Sequence, residues 1–117
     1  MSSISILHNP RCSKSRQTLA LLKEKGITPA VIEYLKTPLT VDELKTLFNK
    51  LNVKTVRDMM RIKEAEYKAL GLADDSIADD DLFQAMATTP KLIERPIVIN
   101  GANARIGRPP ESVLDII

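Results

Sequence analysis

Two strand-like runs with a helix between them, at the start of the chain, limit the possible folds more than any other feature. Ile4 to Leu7 form a short apolar run ended by His8-Asn9-Pro10, the pattern of a buried strand. Helical spacing follows in Leu19, Leu21 and Leu22. Lys23, Lys25 and Gly26 then supply the cations and the glycine that stop a helix. Ala30 to Leu35 (AVIEYL) reads as a second strand, ended near Pro38. Two strands of one sheet joined through a helix run parallel, with a right-handed crossover. The chain therefore opens with a βαβ unit.

The period then becomes helical throughout. Thr40 with Glu43 makes a capping box ahead of Leu44, Leu47, Phe48 and Leu51 on one face. Shorter helical stretches are expected from Thr55 to Met60 and from about Glu64 to Leu70. Asp79, Asp80 and Asp81 place negative charge in the first turn of another helix, which Pro90 ends. Strands return with Pro96 to Ile99, the hairpin signal Asn100-Gly101 and the partner run Ala104-Arg105-Ile106. Pro109 and Pro110 open a last helix with Val113, Leu114 and Ile117 inward. The order βαβ, helices, ββα is that of an α/β thioredoxin-like fold with a four-stranded mixed sheet. A single domain over residues 1–117, with a helical insertion at about 39–91, accounts for the whole length. With 44% hydrophobic residues a core is available without staples, and with 3% aromatics it must be aliphatic.

Charge excludes more than it proposes. Seventeen basic residues against fifteen acidic ones leave a net +2, with no block of five like charges, so neither nucleic acid nor a membrane surface is indicated as a partner. The one cysteine forbids an internal disulfide and any multi-thiolate metal site. With a single histidine besides, no metal site is expected. No leader-like or membrane-spanning run appears, and a cytoplasmic protein is expected.

That cysteine, Cys12, lies between the first strand and the first helix. A lone cysteine is commonly a small buried hydrophobe, yet every other residue from Arg11 to Arg16 is polar or charged. Unpaired amides at a helix start, the charges of Arg11, Lys14 and Arg16, and a hydroxyl hydrogen bond from Ser15 would each favour the thiolate. Together they would bring its pKa below the free value of about 8.5. His8 either adds positive charge beside the sulfur or holds the loop. A Cys-x5-Arg phosphatase loop would need arginine where Thr18 stands, and no Cys-x-x-Cys is present. After any attack by Cys12, the reducing thiol must come from another molecule.

Arginines suggest what the sulfur attacks. Arg61 sits amid the inserted helices, and Arg95 and Arg108 each precede a proline. Arg95-Pro96 opens the strand expected beside the cysteine loop, where a proline can hold a cis peptide. Planar guanidinium groups bind tetrahedral oxyanions bidentately.

Four blocks carry a resemblance: residues 8 to 16 (HNPRCSKSR), 60 to 64 (MRIKE), 94 to 99 (ERPIVI) and 107 to 111 (GRPPE). In these, and along essentially its whole length, the chain resembles the glutaredoxin-coupled arsenate reductase (ArsC-like) family. The resemblance implies Cys12 as nucleophile, Arg61, Arg95 and Arg108 as oxyanion ligands, and His8 and Ser15 as supports of the thiolate. It implies arsenate or a similar oxyanion as substrate, glutathione as cosubstrate, glutaredoxin as partner, and no bound cofactor. Where well-established members carry Gly-Thr after the cysteine, this chain has Ser13-Lys14, and it resembles a shorter subgroup. Two other readings stand beside this one. A glutathione-dependent thiol oxidoreductase of other substrate would not need the arginine trio. An Spx-like regulator binding RNA polymerase normally uses Cys-x-x-Cys, which Ser15 interrupts here.

Overall fold

In the computed structural model of the chain, which describes residues 4–117, the apolar run at the start forms the second strand of a four-stranded sheet, ordered β2-β1-β3-β4. β1 (Ile4–Leu7) pairs in parallel with β2 (Ala30–Ile32), Ile6 opposite Val31. On its other side it pairs antiparallel with β3 (Ile97–Asn100), Ile6 opposite Val98. β4 (Asn103–Ile106) closes a hairpin with β3 through Gly101, whose φ of 59° is glycine's territory. The sheet is thus mixed, as the order of elements predicts.

Alternation along the strands divides the core into two layers. Ile6 and Val98 point to one face, where Leu22 of α1 (Ser13–Glu24) and Val113 of the C-terminal segment cover them. Leu7, Ile97 and Ala104 point to the other, under α2 (Val41–Leu51) and α4 (Asp79–Thr88), with Leu44, Leu47, Leu82, Phe83 and Met86 buried there. α2 begins as its sequence dictates. The Thr40 hydroxyl accepts from the Glu43 amide at 3.1 Å, and the Glu43 carboxylate accepts from the Thr40 amide at 2.9 Å.

Several boundaries differ from expectation. β2 stops at Ile32, because Glu33 turns the chain and its carbonyl accepts from the amides of both Lys36 and Thr37. It is an edge strand with Ala30 and Val31 exposed, so the run AVIEYL is not one buried strand. The inner face of α1 is Ser15, Thr18 and Leu22, whereas Leu19 and Leu21 only flank it. Thr55 opens a 3-10 turn, Val56–Met59, and α3 is confined to Ala65–Ala69. The segment after the prolines, Pro110–Ile116, is 3-10 and not α-helical. None of the helices among the described residues is long and apolar enough to cross a membrane.

The insertion is fastened to the sheet by an antiparallel bridge between Met60 and Ile93. The Arg61 amide donates to the Leu92 carbonyl at 2.7 Å and the Glu94 amide to the Met59 carbonyl at 2.9 Å. This clasp carries Arg61 to the head of β3.

Candidate active site

Cys12 is the N-cap of α1, with extended backbone (φ −95°, ψ 124°), and its carbonyl accepts the first helical bond, from Arg16. The loop that leads into it is held by side chains. The Asn9 carbonyl accepts from the Cys12 amide and the Asn9 Oδ1 from the Arg11 amide, both at 3.0 Å. Arg16 donates to the Pro10 carbonyl at 3.0 Å. Asn9 was not among the residues singled out from sequence, although asparagine before a proline is a recognisable turn signal.

Ser15 does not serve the sulfur through its hydroxyl. The side chain is fully buried, lies 2.7 Å from His8 Nδ1, and accepts from the Asn9 amide at 3.0 Å. What reaches the sulfur from Ser15 is the backbone N–H. His8 belongs to the same buried link, and of its two readings the geometry favours holding the loop. Burial lowers its pKa, and Arg16 and Lys23 act in the same direction against the opposing charge of Glu33. The imidazole is therefore neutral at pH 7, and it ties the end of β1 to the first turn of α1.

For Cys12 itself, burial pushes the thiol pKa up. The Ser15 amide, the hydrogen bond and charge of Arg95, and the Lys14 amide outweigh that effect, and the net shift is downward. Arg108 adds an N–H donated from Nη2 to Sγ at 3.6 Å. The thiol remains partly exposed. A partly exposed sulfur whose pKa is lowered differs from a buried packing cysteine, whose pKa burial alone would raise.

The three arginines named from sequence come together here, joined by two carboxylates that sequence reasoning passed over. One oxygen of Glu94 accepts from Arg61 Nη1 and the Arg95 amide, both at 3.3 Å, and is ion-paired with Arg108 Nε at 3.2 Å. Glu64 accepts from Arg61 Nε at 2.9 Å and lies 4.0 Å from Arg95 Nη1. Arg108 Nε also donates to the Arg95 carbonyl at 2.8 Å. All five side chains are about one-sixth to one-third exposed, in the range of 17 to 35%. The i,i+3 spacing of Arg61 and Glu64 was the available signal for one carboxylate. Nothing local marks Glu94, whose side-chain partners Arg61 and Arg108 lie far away in sequence. With the thiolate formed, three cations face three anions, and a bound oxyanion would share the guanidinium N–H groups with Glu64 and Glu94.

Gly107 allows the last of these contacts. A Cβ there would lie 2.6 Å from Thr18 Oγ1 and 2.9 Å from Pro96 Cγ, and the Gly107 amide donates to the Pro96 carbonyl at 2.9 Å. Only a bare backbone lets β4 run that close to α1 and set Arg108 over the sulfur. The Arg95-Pro96 and Arg108-Pro109 peptide bonds are both cis. Beside the cysteine loop opens a cleft of about 380 Å³, lined by His8, Asn9, Arg11, Glu33, Lys91 and Arg95 among others.

Comparison with known proteins places the whole chain in one family. The family model described as "ArsC family" matches residues 7–116. The chain is 51% identical to the "Arsenate reductase" of Haemophilus influenzae, over 98% of this chain and 99% of that one. It is 54% identical to the "Uncharacterized protein YfgD" of Escherichia coli, over 97% and 96%. Among solved structures, "Arsenate reductase from Vibrio cholerae" superposes with a TM-score of 0.98 at 58% identity, covering 99% of this chain and 98% of the other.

Proposed function

This chain belongs to the ArsC family, and from that premise we propose that it reduces arsenate to arsenite through the Cys12 thiolate. One observation carries the reading: a partly exposed sulfur with lowered pKa lies against Arg95 and Arg108 and is linked through Glu94 to Arg61. An anion-binding cluster wrapped around a nucleophile suits a substrate that is itself an oxyanion with an electrophilic centre.

The steps are those that the family resemblance implies, and the single cysteine requires only that the reducing thiol come from another molecule. The Cys12 thiolate attacks arsenic and forms a sulfur–arsenic bond as one arsenate oxygen leaves as water. Glutathione, the external thiol, displaces a second oxygen as water. A glutaredoxin thiolate then takes the glutathionyl sulfur as a mixed disulfide, and the electron pair of the broken arsenic–sulfur bond reduces arsenic from the +5 to the +3 state. Hydrolysis of the remaining bond frees arsenite and returns Cys12. Arg61, Arg95 and Arg108 hold the oxyanion and balance its charge, and His8 and Ser15 keep the loop in shape. No bound cofactor or metal enters this scheme. A thiol that must stay reduced between turnovers suits the cytoplasm.

The test is NADPH oxidation by the pure protein with arsenate, glutathione, glutaredoxin and glutathione reductase. Arsenate-dependent oxidation is expected, absent in Cys12→Ser. Oxidation that ignores arsenate but follows a glutathione mixed disulfide would replace this reading with that of a general thiol oxidoreductase.

A further inference from the structure

The scheme above consumes an external thiol but gives it no place to bind. Two clefts adjoin the arginine cluster. The smaller, of about 270 Å³, is lined by Arg61, Lys63, Glu94 and Arg108 among others. Arg108 connects it to the nucleophile, since its Nη2 donates to Cys12 Sγ. Its guanidinium groups suit a small oxyanion. The larger cleft, of about 380 Å³, shares none of these residues. The ion pair of Arg61 in the one with Glu64 in the other runs between them.

The larger cleft has the size of a small-molecule site, about 300 Å³ or more, and a lining that an oxyanion alone does not need. Pro10 and Leu35 give it an apolar wall, and Leu35 is a large hydrophobic side chain left 42% exposed. Arg11, Lys36 and Lys91 bring positive charge. Arg11 is exposed and makes no salt bridge among the described residues. Lys36 and Lys91 pair with Glu33 and Glu66 in contacts open to solvent. Such pairs are weak, so their ammonium groups are free to serve a carboxylate. Glu33, also in the lining, offers an acceptor to a cation. The cleft runs along the cysteine loop itself: Asn9 and Arg11 line it, and the Cys12 amide donates to the Asn9 carbonyl. Resting on the reading of Cys12 as a nucleophile resolved by an outside thiol, we propose that this cleft seats that thiol, a short acidic peptide with two carboxylates and one ammonium, as in glutathione. Its carboxylates face Arg11, Lys36 and Lys91 and its ammonium faces Glu33. An extended tripeptide spans about 10 Å, so its central thiol can stand at the rim beside Cys12 while both ends stay in the cleft. The oxyanion takes the smaller cleft, and the two substrates do not compete.

S-Methylglutathione, whose sulfur cannot react, separates binding from chemistry. Titrated into the protein at millimolar concentration and followed by backbone amide NMR, it should shift Asn9, Arg11, Glu33 and Lys36. Sulfate, an unreactive oxyanion, should instead shift Arg61, Glu94 and Arg108. At constant ionic strength, saturating sulfate should leave the affinity for S-methylglutathione unchanged. Lys36→Glu combined with Lys91→Gln changes two exposed side chains and removes two carboxylate partners. The Kd for S-methylglutathione and the KM for glutathione should then rise on the order of tenfold. The KM for arsenate and the rate of Cys12 alkylation by iodoacetamide should change much less. No shifts with S-methylglutathione, shifts confined to the smaller cleft, competition by sulfate, or wild-type affinity in the double variant would each overturn the proposal. Should the wild type fail to turn over arsenate, the function proposed above is wrong, while the S-methylglutathione titration still decides for or against the cleft.

Discussion

A sulfur atom, three guanidinium groups and two carboxylates make up the candidate site, and each contributes through a property that its nearest chemical relative lacks. Arg95 is the clearest case. It is the most buried of the three arginines by side chain, at 17% exposed, and it acts on Cys12 by both charge and hydrogen bonding. Arg95→Lys keeps the charge but loses the planar fork. The KM for arsenate should rise roughly tenfold or more, and the pH at which iodoacetamide reacts at half its maximal rate should move up. The sign follows from the thiolate being the reactive form. A pKa held below the free-thiol value brings that midpoint to lower pH, and losing the donor sends it back. Unchanged KM and midpoint would reduce Arg95 to a diffuse positive charge. At this scale the sequence was partly legible. Cys12 and its polar surroundings are contiguous, and arginines before prolines stand out. Glu94 could not be read, because Arg61 is brought to it by the bridge between Met60 and Ile93 and Arg108 by the pairing of β3 with β4.

Helix α1 explains why a cysteine at this position ionises. α2 has Asp42 and Glu43 in its first turn and α4 has Asp79, Asp80 and Asp81, so their N-terminal dipoles are compensated. α1 has no acidic residue in its first turn and no side-chain cap, which leaves the Cys12 thiolate as the negative charge at its start. Cys12→Asp should therefore be more stable than Cys12→Ala by about 1 kcal/mol, or a Tm difference of about 5 °C, with no turnover in either. Equal Tm values would mean that the dipole is not acting on this position. The same junction carries a pH signature through His8. Its folded pKa lies below the ordinary 6.5, so as pH falls the unfolded chain takes up the proton first. The stabilisation is complete above pH 6.5 and is lost as pH drops through the lower folded value. The Tm advantage of wild type over His8→Gln should shrink on going from pH 7.5 to pH 5, and a constant difference would contradict a buried neutral imidazole. Element order, the Thr40 capping box and the Asn100-Gly101 hairpin were readable because they rest on local chemistry. The early stop of β2 and the 3-10 form of Pro110–Ile116 were not, since hydrophobic pattern does not distinguish an edge strand from a buried one or a tight helix from an α-helix.

At the scale of the whole molecule, the site exists only where three distant parts of the chain meet. The βαβ unit supplies the sulfur, the insertion supplies Arg61, and the ββ hairpin with its flanks supplies Arg95 and Arg108. Gly107 lies at the tightest point of that meeting, between Thr18 of α1 and the ring of Pro96. A single methyl group there tests whether the fold's close packing is what holds Arg108 on the sulfur. Gly107→Ala places a carbon 2.6 Å from Thr18 Oγ1, which helix or strand must yield to accommodate. The expected loss is about 1–3 kcal/mol of stability, together with a raised KM for arsenate as Arg108 is carried off Cys12. Thr18→Ala alone removes a buried hydroxyl bonded to the Lys14 carbonyl and should itself be destabilising. Combined with Gly107→Ala, however, it removes the nearest clash, so the double variant should be more stable than the sum of the two losses requires, by about 1 kcal/mol. The Pro96 contact at 2.9 Å would remain, and recovery should therefore be partial. Strictly additive losses, or an arsenate KM unmoved by Gly107→Ala, would show that the sheet and helix tolerate the methyl group without disturbing the arginine, and that Arg108 is held by its bonds to Glu94 and the Arg95 carbonyl alone.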